Sequence, residues 1–190
     1  MDTTPSYELG SLTLVSATVQ HVDAILRIEA ASFSAPWTRR MFEVELTDNP
    51  FSRFFVAQAD RSGHTGGPPP EVVGYVCFWV VFEELRMMNV AVEPHVRRRG
   101  IGHALLLKAL STGIEEGARR ALLEVRASND SAVTLYERAG FVRTGMRAKY
   151  YTNPIEDAVL MEAELSKKGQ GGYTTTAMES SGMLGNPSLI

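Results

Sequence analysis

The chain has 190 residues, with 19 Lys plus Arg against 22 Asp plus Glu and a formal charge of −3. Apolar residues make up 44% and charged residues 22%, which excludes a fibrous or wholly disordered chain and fits one domain with a core of its own. The slight acidic excess offers no general attraction for DNA or RNA, and the single cysteine, Cys77, excludes an intrachain disulfide, in keeping with a reducing compartment.

Residues 1–10 are polar and carry Asp2, Pro5 and Glu8, without the basic start and apolar run of a signal peptide. Leu12, Leu14 and Ala17 alternate with polar residues and predict a short strand. Thr18 can cap a helix in which Val22, Ile25 and Leu26 share one face, with Asp23 and Arg27 on the other. Trp37-Thr38 opens a second helix through Met41, Phe42 and Leu46, and Asn49-Pro50 stops it.

A strand is predicted over 54–59, then a Gly- and Pro-rich loop over 60–71. Residues 72–82 form the longest apolar run, eleven residues interrupted by Gly74. A membrane helix needs about 20, so the run predicts a strand and the chain a soluble, cytoplasmic protein. A further strand over 85–92 is expected to return antiparallel across a Glu83-Glu84 turn.

From Gly100 the apolar period changes. Ile101, Leu105, Leu106, Ala109 and Leu110 make a stripe, while His103, Lys108, Ser111 and Glu115 stay polar, so an amphipathic helix ends near Gly117. A strand over 121–126, a helix over 129–139 with Gly140 at its C-cap, and closing strands over 141–146 and 157–165 complete the pattern. Early strands followed by alternation predict an α/β protein with a mixed sheet and a central βαβ unit. Residues 166–190 contain five glycines and little periodicity, and read as a flexible tail. The expected organisation is therefore an extension over 1–10, one domain over 11–165 and a tail over 166–190, without internal repeats.

Chemistry concentrates in two segments. In the first, an apolar strand ending Asn89-Val-Ala-Val92 runs into Arg97-Arg-Arg-Gly-Ile-Gly102 and then a helix. The first turn of a helix has unpaired N–H groups and a partial positive charge, which hold phosphate. Gly100 and Gly102 let the backbone approach a pyrophosphate, and Arg97, Arg98 and Arg99 add charge and planar donors. The segment fits neither a nucleotide-hydrolysing P-loop nor a dinucleotide fingerprint. A solvated basic turn capping an ordinary helix is the alternative.

In the second segment, 122–141, Glu124 lies within an apolar strand. A carboxylate held among apolar groups has its pKa raised, which suits a general base near neutral pH. Tyr136 follows on the next helix, where its hydroxyl can protonate a departing thiolate of pKa about 8.5. The alternatives are a Glu at a solvated strand edge and a Tyr that only packs. Cys77 has no His close in sequence and is expected to be a packing residue. The histidines (21, 64, 95 and 103) lack metal-ligand spacing, so no metal site is expected.

Together these segments resemble the GCN5-related N-acetyltransferase (GNAT) superfamily, whose coenzyme A signature [Arg/Gln]-x-x-Gly-x-[Gly/Ala] is matched at 97–102. The resemblance covers roughly residues 10–165 and is nearest to the bacterial ribosomal-protein-alanine N-acetyltransferases. It rests on Ala35-Pro36-Trp37, Asn89-Val-Ala-Val92, Leu123-Glu-Val-Arg-Ala-Ser-Asn129, Leu135-Tyr-Glu137, Gly140-Phe141, Tyr150-Tyr151 and Glu156-Asp157-Ala158.

The resemblance implies a GNAT fold, a mostly antiparallel splayed sheet of about six or seven strands with about four helices. It implies acetyl-coenzyme A as cosubstrate, Glu124 as general base and Tyr136 as general acid. Val90, Ala91 and Val92 would pair with the pantetheine arm, Arg97, Arg98, Arg99, Gly100, Ile101, Gly102 and His103 would hold the pyrophosphate, and Asn129 would add a coenzyme contact. The implied acceptor is the N-terminal alanine of the eighteenth protein of the small ribosomal subunit, a basic chain that suits an acidic enzyme. An α-amino group of pKa about 8 is easier to deprotonate than Lys at about 10.4. Lysine side chains, a small-molecule amine, or coenzyme binding without catalysis remain open. The loop at 66–70 looks longer than the family's, the stretch between Tyr151 and Glu156 shorter, and the tail extends past the usual end.

Overall fold

The computed structural model describes residues 11–60, 70–167 and 173–176. Among these described residues eight strands form one mixed sheet, flanked by four α-helices. In chain order these are β1 (Leu12–Ser16), α1 (Val22–Ser32), α2 (Arg39–Thr47), β2 (Ser52–Ala59), β3 (Glu71–Val81), β4 (Glu84–Val92), α3 (Ile101–Glu115), β5 (Arg120–Arg126), α4 (Asp130–Arg138), β6 (Val142–Thr152), β7 (Ile155–Lys167) and β8 (Tyr173–Thr176). Short 3₁₀ turns precede α1 and α3, at Val19–His21 and Pro94–Val96. The sheet order is β1-β2-β3-β4-β5-β7-β6, with β8 on β7, and β4–β5 is its parallel pair.

The sheet is covered unequally. α3 and α4 pack on one face across its middle, where Val76, Phe78, Leu85, Leu105, Leu123, Val133 and Met161 are buried. α1 and α2 cover the other face over β2, β3 and part of β4, with Ile25, Ile28, Phe42, Phe54 and Tyr75 inside. β3 is thus covered on both faces, which is why its sequence runs apolar without alternation. Burying these side chains, at roughly 25 cal/mol per Å² of apolar area, is the main stabilising term.

Local signals place the helices. Thr38 caps α2 by accepting from the Met41 N–H at 3.4 Å, and Asn129 caps α4 by accepting from the Ala132 N–H at 3.2 Å. Gly140 takes a positive φ of 89° just after α4. At Gly74 a side chain would lie 3.0 Å from the Ala91 carbonyl and 3.1 Å from Leu105, so the glycine lets α3 seat closely on β3 beside the end of β4.

The last third of the chain departs from expectation. β6 runs on to Thr152 rather than ending at Met146, and almost all its residues are exposed, so it lacks the alternation that marks a half-buried strand. β7 runs from Ile155 to Lys167 rather than over 157–165. The expected tail also enters the sheet: Tyr173–Thr176 pairs with residues 164–167, along the edge of β7 that β6 leaves beyond Glu162. The rest of that tail, the 1–10 extension and the 61–69 loop lie outside the described residues.

Candidate active site

β4 and β5 pair over three positions only, Glu84 with Arg120, Leu85 with Ala121 and Arg86 with Leu122. Beyond Arg86 they separate. The change coincides with a bulge in β4: Cys77 of β3 faces Asn89 while Phe78 faces Met87, which leaves Met88 as the extra residue. The far end is clamped by charge. Arg120 pairs with Glu84 and, at 3.4 Å, with Glu162, and Arg86 lies 2.7 Å from Glu84. Hydrogen bonds from Arg86 and Arg120 hold the Glu84 carboxyl below its usual range. Glu83 pairs with Arg119 at 3.1 Å, so this acidic turn is neutralised within the fold.

The opening exposes the β5-facing edge of β4 over Val90, Ala91 and Val92, while Val76, Tyr75 and Gly74 of β3 occupy the other edge. α3 begins at the end of this stretch. Gly100 precedes it at φ +82°, a left-handed conformation that favours glycine, and its carbonyl accepts from the Ala104 N–H at 2.9 Å. The first-turn N–H groups around Ile101, Gly102 and His103 therefore point out of the helix beside Val92. A side chain at Gly102 would lie 3.7 Å from Val92 and 3.6 Å from Leu135, so its bareness widens this corner without being forced by packing.

Within the basic loop the arginines divide. Arg97 donates through Nε to the Val92 carbonyl at 2.8 Å and through Nη2 to the Ser32 hydroxyl at 2.9 Å. These bonds tie the loop to β4 and α1. Arg98 takes a left-handed φ of 64°, which turns the chain into Gly100. Asn129 spends its Oδ1 on capping, leaving the amide Nδ2 as the group it can offer a ligand.

On β5, Ala121, Leu123 and Val125 face the α3–α4 core, while Leu122, Glu124 and Arg126 face the opposite side, which α1 and α2 do not reach. Glu124 is partly buried and is held by charge: its Oε1 lies 2.7 Å from Arg147 Nη1, and the Tyr150 hydroxyl donates to it. The apolar surroundings expected for this carboxylate are therefore corrected. Arg147 reaches it from β6 across β7, over the small Ala158 that sits between Arg126 and Arg147. Three residues of β6, 148–150, bulge against Asp157, with Lys149 at φ 53° and its N–H on Asp157 Oδ1 at 2.8 Å. That bulge turns Tyr150 toward Glu124.

Tyr136 lies on the other face, 5% exposed, with its ring 5.8 Å from Phe141. Burial, and then the neighbouring Tyr151, push its hydroxyl pKa up, so it stays protonated at neutral pH. Tyr151 joins the two faces: it interacts electrostatically with both Tyr136 and Glu124. The Arg126 guanidinium lies 4.1 Å from the Tyr151 ring centre. Sequence reasoning singled out Glu124 and Tyr136 but missed Arg126, Arg147 and Tyr150 as the groups around them. An adjacent tyrosine pair in an otherwise polar, exposed strand was the available signal.

Behind the site Glu29 is 1% exposed. Its carboxylate accepts from the Trp37 N–H at 2.7 Å, the Tyr75 hydroxyl and Asn89 Nδ2 at 3.2 Å. These bonds join α1, the α1–α2 loop and the β4 bulge. Its appearance beside Val22, Ile25 and Ile28 in the buried stripe of α1 was the missed signal. Cys77 is buried, as expected, and burial pushes its thiol up to about 12. Among the described residues no group of three or more His, Cys, Asp or Glu is placed to hold a metal, and no helix is long and apolar enough to cross a membrane.

Comparisons with known proteins agree with this geometry. Residues 22–141 match the Acetyltransferase (GNAT) family profile. A Bacillus subtilis (strain 168) protein, provisionally named a ribosomal protein bS18-alanine N-acetyltransferase, is 36% identical over 75% of this chain and 89% of its own. The Escherichia coli (strain K12) ribosomal protein bS18-alanine N-acetyltransferase is 31% identical over 81% of this chain and 98% of its own. The crystal structure of the Escherichia coli ribosomal-protein-S18-alanine N-acetyltransferase superposes with a TM-score of 0.71, covering 86% of this chain and 99% of that one.

Proposed function

The chain belongs to the GNAT acetyltransferase family and is an acyltransferase, and from that premise we propose that it moves the acetyl group of acetyl-coenzyme A onto the α-amino group of a protein N-terminus. The observation that carries this reading is the parting of β4 and β5 after Arg86. It gathers the α3 start, the open edge of β4 and Glu124 around one slot.

In this reading the pyrophosphate lies at the first turn of α3, on the N–H groups from Gly100 to His103, with Arg98 and Arg99 adding charge. Arg97 shapes the loop. The pantetheine arm adds to the edge of β4 at Val90–Val92 as a further strand would, and Asn129 contributes its amide. The neutral amine attacks the thioester carbon, and the proton it sheds passes to Glu124, directly or through one water. The C–S bond then breaks. Tyr136, kept protonated by burial, donates a hydrogen bond to the departing sulfur. Its raised pKa makes complete proton transfer to a thiolate of pKa about 8.5 uphill, so stabilisation of the anion outweighs delivery of the proton. No covalent enzyme intermediate is required.

The acceptor enters on the opposite face, where the α1–α2 loop meets the β6–β7 hairpin. The Ser34 hydroxyl donates to the Asn153 carbonyl, and Asn153 Nδ2 donates to the Ser34 carbonyl at 3.3 Å. These bonds bridge the two halves of the parted sheet, and in this reading the chain end passes beneath them to Glu124. The proposed acceptor is the N-terminal alanine of ribosomal protein bS18, the substrate in the name of the Escherichia coli relative. The domain carrying this activity spans residues 11–165 and works in the cytoplasm, where ribosomal proteins are made.

The test is a peptide panel with acetyl-coenzyme A and mass detection of the modified nitrogen. Ala-initiated peptides should gain one acetyl group on the α-nitrogen, and N-terminally blocked peptides containing Lys should gain none. Turnover confined to the blocked Lys peptides, or to small amines, would sink the reading.

A further inference from the structure

Arg126 lies two residues beyond Glu124 on the same face of β5. It belongs to neither buried core cluster, yet its guanidinium is heavily engaged. Nη2 donates to the Asn153 carbonyl at 2.9 Å and to the Ser34 hydroxyl at 3.4 Å. Nη1 donates to Glu156 Oε2 at 3.1 Å and to the Pro154 carbonyl at 3.3 Å. The plane of the group covers the Tyr151 ring. Glu156 is itself fixed, because its other oxygen accepts from the Ser128 N–H at 2.6 Å. One side chain therefore touches the α1–α2 loop, both ends of the β6–β7 turn and the tyrosine that links the two faces of the site.

Three of these partners, Ser34, Asn153 and Pro154, lie on loops, and Glu156 lies at the start of β7. A direct contact between two loops pays the entropy of ordering both, and a pair of hydrogen bonds offsets only about 1 kcal/mol each. A guanidinium supplies five N–H donors in one rigid fork and a flat face for stacking, and Arg126 makes four hydrogen bonds here through Nη1 and Nη2. A lysine ammonium, a point charge on a flexible stem, cannot reproduce that geometry.

We propose that Arg126 is a positioning residue for the acceptor: it holds the Ser34–Asn153 bridge closed and the Tyr151 ring in place, and so fixes the aperture through which the amine reaches Glu124. This rests on the reading of an amine acceptor entering under the bridge. Arg126 is not required for the coenzyme, whose proposed contacts lie on β4, α3 and α4.

The experiment compares Arg126→Met, Arg126→Lys and Ser34→Ala with the parent chain. For Arg126→Met the acceptor KM should rise about tenfold or more, with the acetyl-coenzyme A KM within about twofold of the parent. Arg126→Lys should fail to restore the acceptor KM. Ser34→Ala, which deletes one hydroxyl of the bridge, should shift it in the same direction by a smaller factor. Amide hydrogen exchange should quicken about tenfold or more at 33–38 and 148–156 in Arg126→Met, while β2 and β3 stay protected. Unchanged exchange in those two segments overturns the proposal. So does a parallel rise of both KM values, or a fall in melting temperature with neither KM altered. If the parent chain acetylates no α-amine, the functional reading fails, and the exchange experiment still decides the role of Arg126.

Discussion

The Glu124 carboxylate lies 2.7 Å from the Arg147 guanidinium, which spans from β6 to β5 over the small Ala158. A carboxylate anchored in this way has a fixed direction, and a hydrogen bond from Tyr150 fixes it further. In the proposed mechanism an incoming amine thus meets a base that is already oriented, which lowers the entropic part of the barrier.

Replacing Glu124 by Gln keeps the shape and removes the proposed base. The expected outcome is a kcat lower by about 10²–10⁴-fold with little change in acetyl-coenzyme A affinity, since the α3 start is untouched. Steady-state kinetics together with coenzyme titration will check this. An unaltered kcat would remove Glu124 from the mechanism.

Tyr136→Phe retains the ring against Phe141 and deletes only a buried hydroxyl. We expect kcat to fall about 10–100-fold, with the melting temperature moving by no more than a few degrees. Should the melting temperature drop while kcat holds, Tyr136 is a packing residue.

Gly100→Ala forces a side chain into φ +82°, although the space around it is open. The cost, about 1–2 kcal/mol, comes from the backbone alone. Gly102→Ala has room and a helical conformation, so it should leave stability nearly unchanged. Gly100→Ala should weaken acetyl-coenzyme A, because it tilts the first turn of α3, while Gly102→Ala, which places a residue the signature admits at that position, should leave coenzyme binding nearly unchanged. Saturating the parent at 100 times its dissociation constant should add about 2.7 kcal/mol of stability, and denaturant melts with and without coenzyme will read the difference. Equal coenzyme stabilisation of all three chains would refute that location.

Glu29 carries a pH signature. Burial raises its pKa above the usual 4.5, and the bonds from Trp37, Tyr75 and Asn89 oppose that only in part. A raised carboxyl pKa means the folded chain holds its proton longer than the unfolded chain does. This contribution to stability is therefore present below 4.5 and is lost as pH rises through the folded-state value. Glu29→Gln should abolish that decline, so its stability relative to the parent should improve as pH climbs above 4.5. Urea midpoints at several pH values will measure it, and a constant difference across the range would show that Glu29 titrates normally.

The two halves of the chain differ in how far they can be read in advance. Through α4 the signals are local: Thr38 and Asn129 at helix starts, Gly100 and Gly140 at positive φ, and apolar stripes facing a core. β6 has no such code, because a strand exposed on both faces obeys no alternation, and its length, its bulge at 148–150 and the addition of β8 follow from pairing with β7. The site divides in the same way. Residue types and spacing pick out Glu124, Tyr136 and the glycine loop. They misjudge the surroundings of Glu124 and do not reveal the anchoring of Arg97, since both depend on partners far along the chain, Arg147 for one and Ser32 for the other.

By itself the sequence determined the order of elements from β1 to β7, the caps at Thr38 and Asn129, the covered strands and the chemical types available for acyl transfer, because each of these is set within a few residues along the backbone. Only the tertiary structure decided where β4 and β5 part, which guanidinium faces which carboxylate, and how the distant loops at Ser34 and Asn153 meet. Those outcomes depend on pairings between segments tens of residues apart, whose geometry is fixed only when the whole sheet packs.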